Sequence, residues 1–207
     1  MNLFRYPKAR HSRSQSPSPY RTLRSFKPFL QIEFLDRCVY CLFPDLVRGE
    51  NSFGVDHYLP KKHYPSLEWD YRNLYYACNA CNSRKSDYYP LTPIEKSDRF
   101  IPNPCDHVMF DHLRYLKDAV SARSKPGEFT LDLLDLNEEN VVHARGILLV
   151  AVQQLEVALR KHRATLSDLH SKGPLANPDR ESKRQIALRK LEAEILDTEK
   201  KLSCLHA

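Results

Sequence analysis

No part of this chain stays apolar for long. The longest uninterrupted run, Ile147 to Val152, falls far short of the roughly 20 residues that cross a bilayer, so the sequence implies no transmembrane helix and no membrane partner. The N-terminus is basic but lacks the apolar core of about 7–15 residues that a secretory signal needs, and a reducing, cytoplasmic location is expected. Acidic residues are missing from residues 1–27, which hold seven basic ones: Arg5, Lys8, Arg10, Arg13, Arg21, Arg24 and Lys27. Of the 32 Lys and Arg, 25 are left to face 26 Asp and Glu, so the whole net charge of +6 sits in this arm. Its SRSQSPSP cluster is too poor in apolar side chains to fold alone. Residues 1–28 therefore read as a flexible basic arm, suited to attracting a polyanion. No internal repeat is visible.

What the chain does have is enough apolar material for a core, 42% of 207 residues, and six cysteines in an uneven pattern. Four form two pairs, Cys38-Val-Tyr-Cys41 and Cys78-Asn-Ala-Cys81, while Cys105 and Cys204 stand alone. In a reducing cell two such pairs point to metal before disulfides. Each Cys-x-x-Cys turn offers two thiolates from one tight loop, and two turns complete the tetrahedron that structural Zn²⁺ prefers. The interval between Cys41 and Cys78 is longer than in a zinc ribbon, so a sizeable structure must lie inside the clasp. Cys204, in a helical tail, reads as a small apolar residue.

Within that interval, residues 52–59 read as a short strand with Asp56 and His57 near its end, and residues 60–64 as a turn with an extended exit. Leu74, Tyr75 and Tyr76 form an apolar anchor before the second pair. Asn-Ala-Cys-Asn-Ser-Arg-Lys-Ser after Cys78 has the signature of a helix start, bounded on its far side by Pro90.

The order CVYC, VDHYLP, YRNLYYAC, CNSRKSD resembles the HNH (ββα-metal) endonuclease family, in its zinc-clasped subset, over roughly residues 37–89. It departs from the name-giving pattern at the last position, where Asn82 replaces histidine, a replacement familiar within the family. The resemblance implies an α+β fold: a small zinc-stabilised ββα-metal core over residues 29–100, with a C-terminal helical hairpin. It also implies metal-dependent hydrolysis of DNA. His57, an imidazole titrating near working pH, is the expected base. Asp56 is implied as a metal ligand and Asn82 as a second oxygen ligand, a set suited to Mg²⁺ or Mn²⁺. Asn73 is implied to hold the loop and to orient the His57 ring by a hydrogen bond. Arg84 and Lys85 on the helix, and Lys61 and Lys62 in the loop, are candidates for phosphate contacts. The zinc of Cys38, Cys41, Cys78 and Cys81 is structural, and the catalytic ion is a different one.

Residues 101–136 read as an extended or mixed connecting segment. Arg99 to His112 contains Cys105, His107 and His112, a candidate second metal site set against an extended piece lying across the core. KPGEFTLDLLDL reads as a turn at Pro126-Gly127 followed by an extended segment. Residues 137–207 read as a helical hairpin: Asn137 caps a first helix, GPLANPD breaks it, and Leu188, Leu191, Ile195, Thr198, Leu202 and Leu205 recur in threes and fours on a second. The order of HNH core, Pro-Cys segment and Leu136-Asn137 to Arg145 is similar to nucleases of bacterial anti-phage systems that act beside an ATPase. It implies an ATPase partner and a defence role; the helical tail alternatively forms a homodimer. From another class, the same features suit a zinc-containing nucleic-acid-binding module that does not cleave.

Overall fold

The computed structural model describes residues 3–206, apart from the side chains of Cys204 and His206; the reading of Cys204 as a small apolar residue therefore lies outside the described residues. In chain order the elements are α1 (Leu23–Glu33), α2 (Asp45–Arg48), β1 (Phe53–His57), β2 (Leu74–Cys78), α3 (Asn79–Lys85), α4 (Pro93–Asp98), α5 (Met109–His112), β3 (Leu113–Leu116), β4 (Ala119–Ala122), α6 (Lys125–Leu133), α7 (Glu139–Ser171) and α8 (Pro178–His206). Among the described residues the sheets are two antiparallel pairs, β1 with β2 and β3 with β4. The fold is α+β, with a small ββα unit and C-terminal helices. It divides into two compact units, Met1–Gly146 and Ile147–Ala207.

The ββα unit is formed by β1, β2 and α3. Strand pairing sets Asp56 opposite Tyr75 and His57 opposite Leu74. All five residues of β2 are buried, and both α1 and α3 pack on the ribbon. Helix α1 presents Phe26, Leu30 and Glu33 to the interior, positions spaced by four and three residues as one helical face requires. Helix α3 starts directly from Cys78 and ends at Ser86, whose φ of +48° turns the chain out of the helix.

Two expectations are corrected here. The basic arm is docked rather than flexible: Leu3, Phe4 and Tyr6 are buried, and the Tyr6 hydroxyl donates to the Tyr40 carbonyl at 2.7 Å. Its charge is also used internally, since the Arg13 guanidinium donates to the Leu74 carbonyl and lies over the Phe34, Tyr71 and Tyr75 rings. The Pro126-Gly127 segment is not a turn leading to a strand but the first turn of α6. Ser124 caps it by accepting from the Gly127 amide, and Pro126 occupies a position where its missing N–H costs nothing. Gly127 is there for space, because a Cβ would lie 2.0 Å from the His112 carbonyl oxygen. Residues 101–136, read as an extended or mixed connecting segment, hold α5, the β3–β4 hairpin and α6.

At the start of α7 the Asn137 side chain bonds both the amide and the carbonyl of Val120 at 2.8 Å, while Glu138 accepts from the Asn140 and Val141 amides and acts as the cap. Arg145, fully buried, donates to the Leu136 and Asp118 carbonyls and lies over Tyr115. The first turns of α7 thus belong to the first unit, not to a hairpin beginning at residue 137. By length and composition α7 is long and apolar enough to cross a membrane, although the sequence implied no such helix. In the second unit α7 and α8 run antiparallel: Arg184 donates to the Leu169 carbonyl and Arg163 pairs with Glu199. Val152, Leu159, Leu188, Ile195 and Leu202 are buried there.

Candidate active site and zinc clasp

The four clasp cysteines come from two places that the fold joins. Cys38 and Cys41 bracket a tight turn in which the Leu42 amide returns to the Cys38 carbonyl; Cys78 ends β2 and Cys81 lies one turn into α3. All four are buried, and their sulfur atoms lie within 4.8 Å of one another. The Cys41 and Cys78 sulfurs are 3.8 Å apart, about the edge of a tetrahedron with Zn–S bonds of about 2.3 Å. Hydrogen bonds from Cys38, Cys41 and Cys81 pull the Cys78 thiol far below the ordinary thiol range, while burial pushes Cys38 up. The cluster fits a zinc site in chemistry and in spacing.

Two residues around the clasp carried no signal in the sequence. Arg48 donates to the Cys78 sulfur at 3.4 Å while lying over the Phe43 ring, which sets a positive charge against a thiolate-rich centre. Tyr40, inside the first Cys-x-x-Cys turn, is buried and donates a short hydrogen bond to Oδ2 of Asp56. The clasp thereby reaches the end of β1 through a side chain as well as through the backbone.

At that end Asp56 is buried and His57 is half-exposed. Side chains alternate along a strand, so Gly54 and Asp56 share one face. Helix α3 covers it, since a Cβ at Gly54 would lie 3.8 Å from the Asn82 amide nitrogen. Asp56 and Asn82 therefore belong to one wall of the site. Among the described residues the Asn82 side chain has no hydrogen-bond partner. One turn further on, Lys85 is 1% exposed, and its ammonium donates to Asp56 Oδ1 at 3.0 Å and to the His57 carbonyl at 2.7 Å. A carboxylate and an amide oxygen suit Mg²⁺ or Mn²⁺ in kind, and the position on Asp56 that such an ion would take is held by Lys85.

His57 is oriented by a backbone group. Its Nε2 lies 3.0 Å from the Glu68 carbonyl oxygen. A carbonyl only accepts, so Nε2 carries a proton, and in the neutral ring the lone pair is then on Nδ1. This corrects the expectation that Asn73 bonds the ring. The Asn73 amide instead closes the intervening loop: Oδ1 accepts from the Leu59 amide at 2.8 Å, and Nδ2 donates to the Leu59 and Leu67 carbonyls at 3.0 and 3.3 Å.

The expected phosphate contacts separate into two groups. Lys61 and Lys62 are exposed, 3.7 Å from Glu68 and 3.5 Å from Asp87. Lys85 is buried beneath Asp56, and Arg84 is spent on Asp135 and on the Leu134 carbonyl, so neither faces solvent as a free cation. The Cys105, His107 and His112 segment does not gather metal ligands: Nδ1 of His107 meets the Asn103 backbone and Nδ1 of His112 meets Ser124. Among the described residues the four cysteines are the cluster of metal-ligating type.

The ββα ribbon with its Asp-His strand end, clasped by four cysteines, lies within a stretch that matches a known family. Residues 38–88 match the family of HNH endonucleases and form an HNH endonuclease domain. The chain is also similar to the Septu protein PtuB of Bacillus thuringiensis, 28% identical over 127 residues, which cover 59% of this chain and 47% of that one. The chain spans about half the length of that relative.

Proposed function

We propose that the protein is a metal-dependent endonuclease that hydrolyses DNA phosphodiester bonds. The observation that carries this reading is the Asp56-His57 end of β1 inside the four-cysteine clasp, with the His57 ring fixed by the Glu68 carbonyl and α3, which bears Asn82, packed on the Asp56 face. Nδ1 accepts the proton of the attacking water, and the bond at Nε2 keeps the ring in the tautomer that can do so. Asp56 and Asn82 would hold a Mg²⁺ or Mn²⁺ ion, which when bound would polarise the phosphate and stabilise the leaving 3′ oxygen. Lys61 and Lys62, exposed on the loop between Asp56 and Asn73, hold flanking phosphates and position the strand. The coarser statement, a nuclease domain with a nucleic-acid substrate, rests on the family match.

The likeness to the Septu protein and the similarity to nucleases of anti-phage systems support a wider reading. In it the chain is the effector nuclease of a bacterial defence system in the cytoplasm, working beside an ATPase partner or as a homodimer through α7 and α8.

Cleavage of supercoiled plasmid by the zinc-loaded protein tests the activity. Nicking or linearisation with Mg²⁺ or Mn²⁺, its loss with EDTA, and a fall of at least about 100-fold in H57A with zinc content unchanged are the expected results. Binding without cleavage under all conditions, the partner present, points instead to a binding module that does not cut.

A further inference from the structure

We propose that Lys85 is the resident counter-cation of Asp56 and that a divalent ion binds the site by exchanging with it. The inference rests on Asp56 being the ion ligand. Lys85 is the last residue of α3, and its ammonium is enclosed at 1% exposure between the Asp56 carboxylate and the His57 carbonyl. An isolated buried carboxylate is strongly disfavoured unless a cation compensates it. Lys85 supplies that compensation with one charge, and Tyr40 fills the other oxygen. A second cation brought to the same buried carboxylate would be repelled by the ammonium, because neither is screened by water there. The two cations therefore occupy the position in turn. The lysine's flexible stem lets the ammonium leave while the aliphatic part stays packed. Such an exchange keeps the site folded and neutral without the ion, and sets its affinity for the ion by competition.

Mn²⁺ binding to zinc-loaded protein, followed by the electron paramagnetic resonance of free Mn²⁺, tests the exchange. Replacing the competitor in K85M or K85Q is expected to tighten Mn²⁺ binding at least tenfold. In the wild type, Lys85 is expected to resist acetylation without Mn²⁺ and to become several-fold more reactive when Mn²⁺ is bound, with Lys61 and Lys62 as internal references. Equal or weaker Mn²⁺ affinity in folded K85M and K85Q overturns the exchange while leaving the ion at Asp56 intact. Should neither variant fold, the labelling decides alone, and a Lys85 that stays protected at saturating Mn²⁺ overturns the proposal. A wild type that binds no Mn²⁺ beyond its zinc overturns both the exchange and the reading of Asp56 as an ion ligand.

Discussion

Asn73 meets three backbone groups at once, and through them it acts on His57 at a distance. Its amide ties Leu59 to Leu67, and the Glu68 carbonyl that fixes the imidazole is the next residue along. N73A leaves three backbone groups short of a partner. N73D also turns a carboxylate toward two carbonyls that need donors. Each loss of this kind costs about 1–3 kcal/mol, so both variants should be less stable to urea by about 2–3 kcal/mol, with N73D the worse. Turnover should fall more than substrate affinity, because the ring loses its fixed orientation while the exposed Lys61 and Lys62 are untouched. A variant that loses stability but turns over normally would show that the loop does not orient the ring. The sequence identified His57 and Asn73 as a pair but misplaced the bond between them. The reason is physical: the ring is held by a carbonyl, which any residue at position 68 supplies, so no side-chain identity announces it.

Among the elements, the arm departs most from what its composition suggests, and one carboxylate explains why. Glu33 at the end of α1 has a fully buried side chain that collects His11, the Ser14 and Gln15 amides and the Tyr71 hydroxyl. Burial alone would raise its pKa, but the Ser14 and Gln15 amides, with His11 and Tyr71, hold it below the ordinary carboxylate value. A carboxyl depressed by folding contributes stability that is present above the unfolded value, about 4.3, and is lost as pH falls through the folded one. Docking of the arm should therefore persist at neutral pH and weaken below about pH 4. E33Q should imitate the acid state at pH 7, lowering stability by about 2 kcal/mol and exposing Arg10, Arg13 and Arg21 to trypsin. Unchanged trypsin resistance in E33Q would mean that Phe4 and Tyr6 hold the arm without it. Local composition could not disclose this docking, since the partners lie some twenty to sixty residues away. The Cys-x-x-Cys pairs, the Asp-His strand end and α3 were legible because spacing within a short window carries them. Helix α6 was not, because Pro-Gly reads as a turn until Ser124 is seen capping it and His112 is seen filling the space a Cβ would need.

For the whole molecule, the aromatic residues divide the two units cleanly. All 11 Tyr, all nine Phe and the single Trp precede Gly146, so the second unit is built from aliphatic contacts along α7 and α8. Those helices, of 33 and 29 residues, exceed all the others combined. Near-ultraviolet circular dichroism therefore reports the first unit alone, whereas the far-ultraviolet helix signal is dominated by α7 and α8. The clasp joins the 38–41 turn to the junction of β2 and α3, and the arm is laid over the result through the Tyr6 bond to Tyr40. A structural zinc contributes on the order of 10 kcal/mol to such a site, comparable to the total stability of a domain. Stripping the metal, or replacing Cys41 with serine, should abolish the near-ultraviolet signal and release the arm to trypsin. Most of the signal at 222 nm should survive, because the hairpin's buried residues depend on one another and not on the clasp. Parallel loss of both signals would make the second unit dependent on the first for its folding. Survival of both would mean that the four buried thiols pack stably without an ion, and would remove the clasp's claim to hold Asp56 in place through Tyr40.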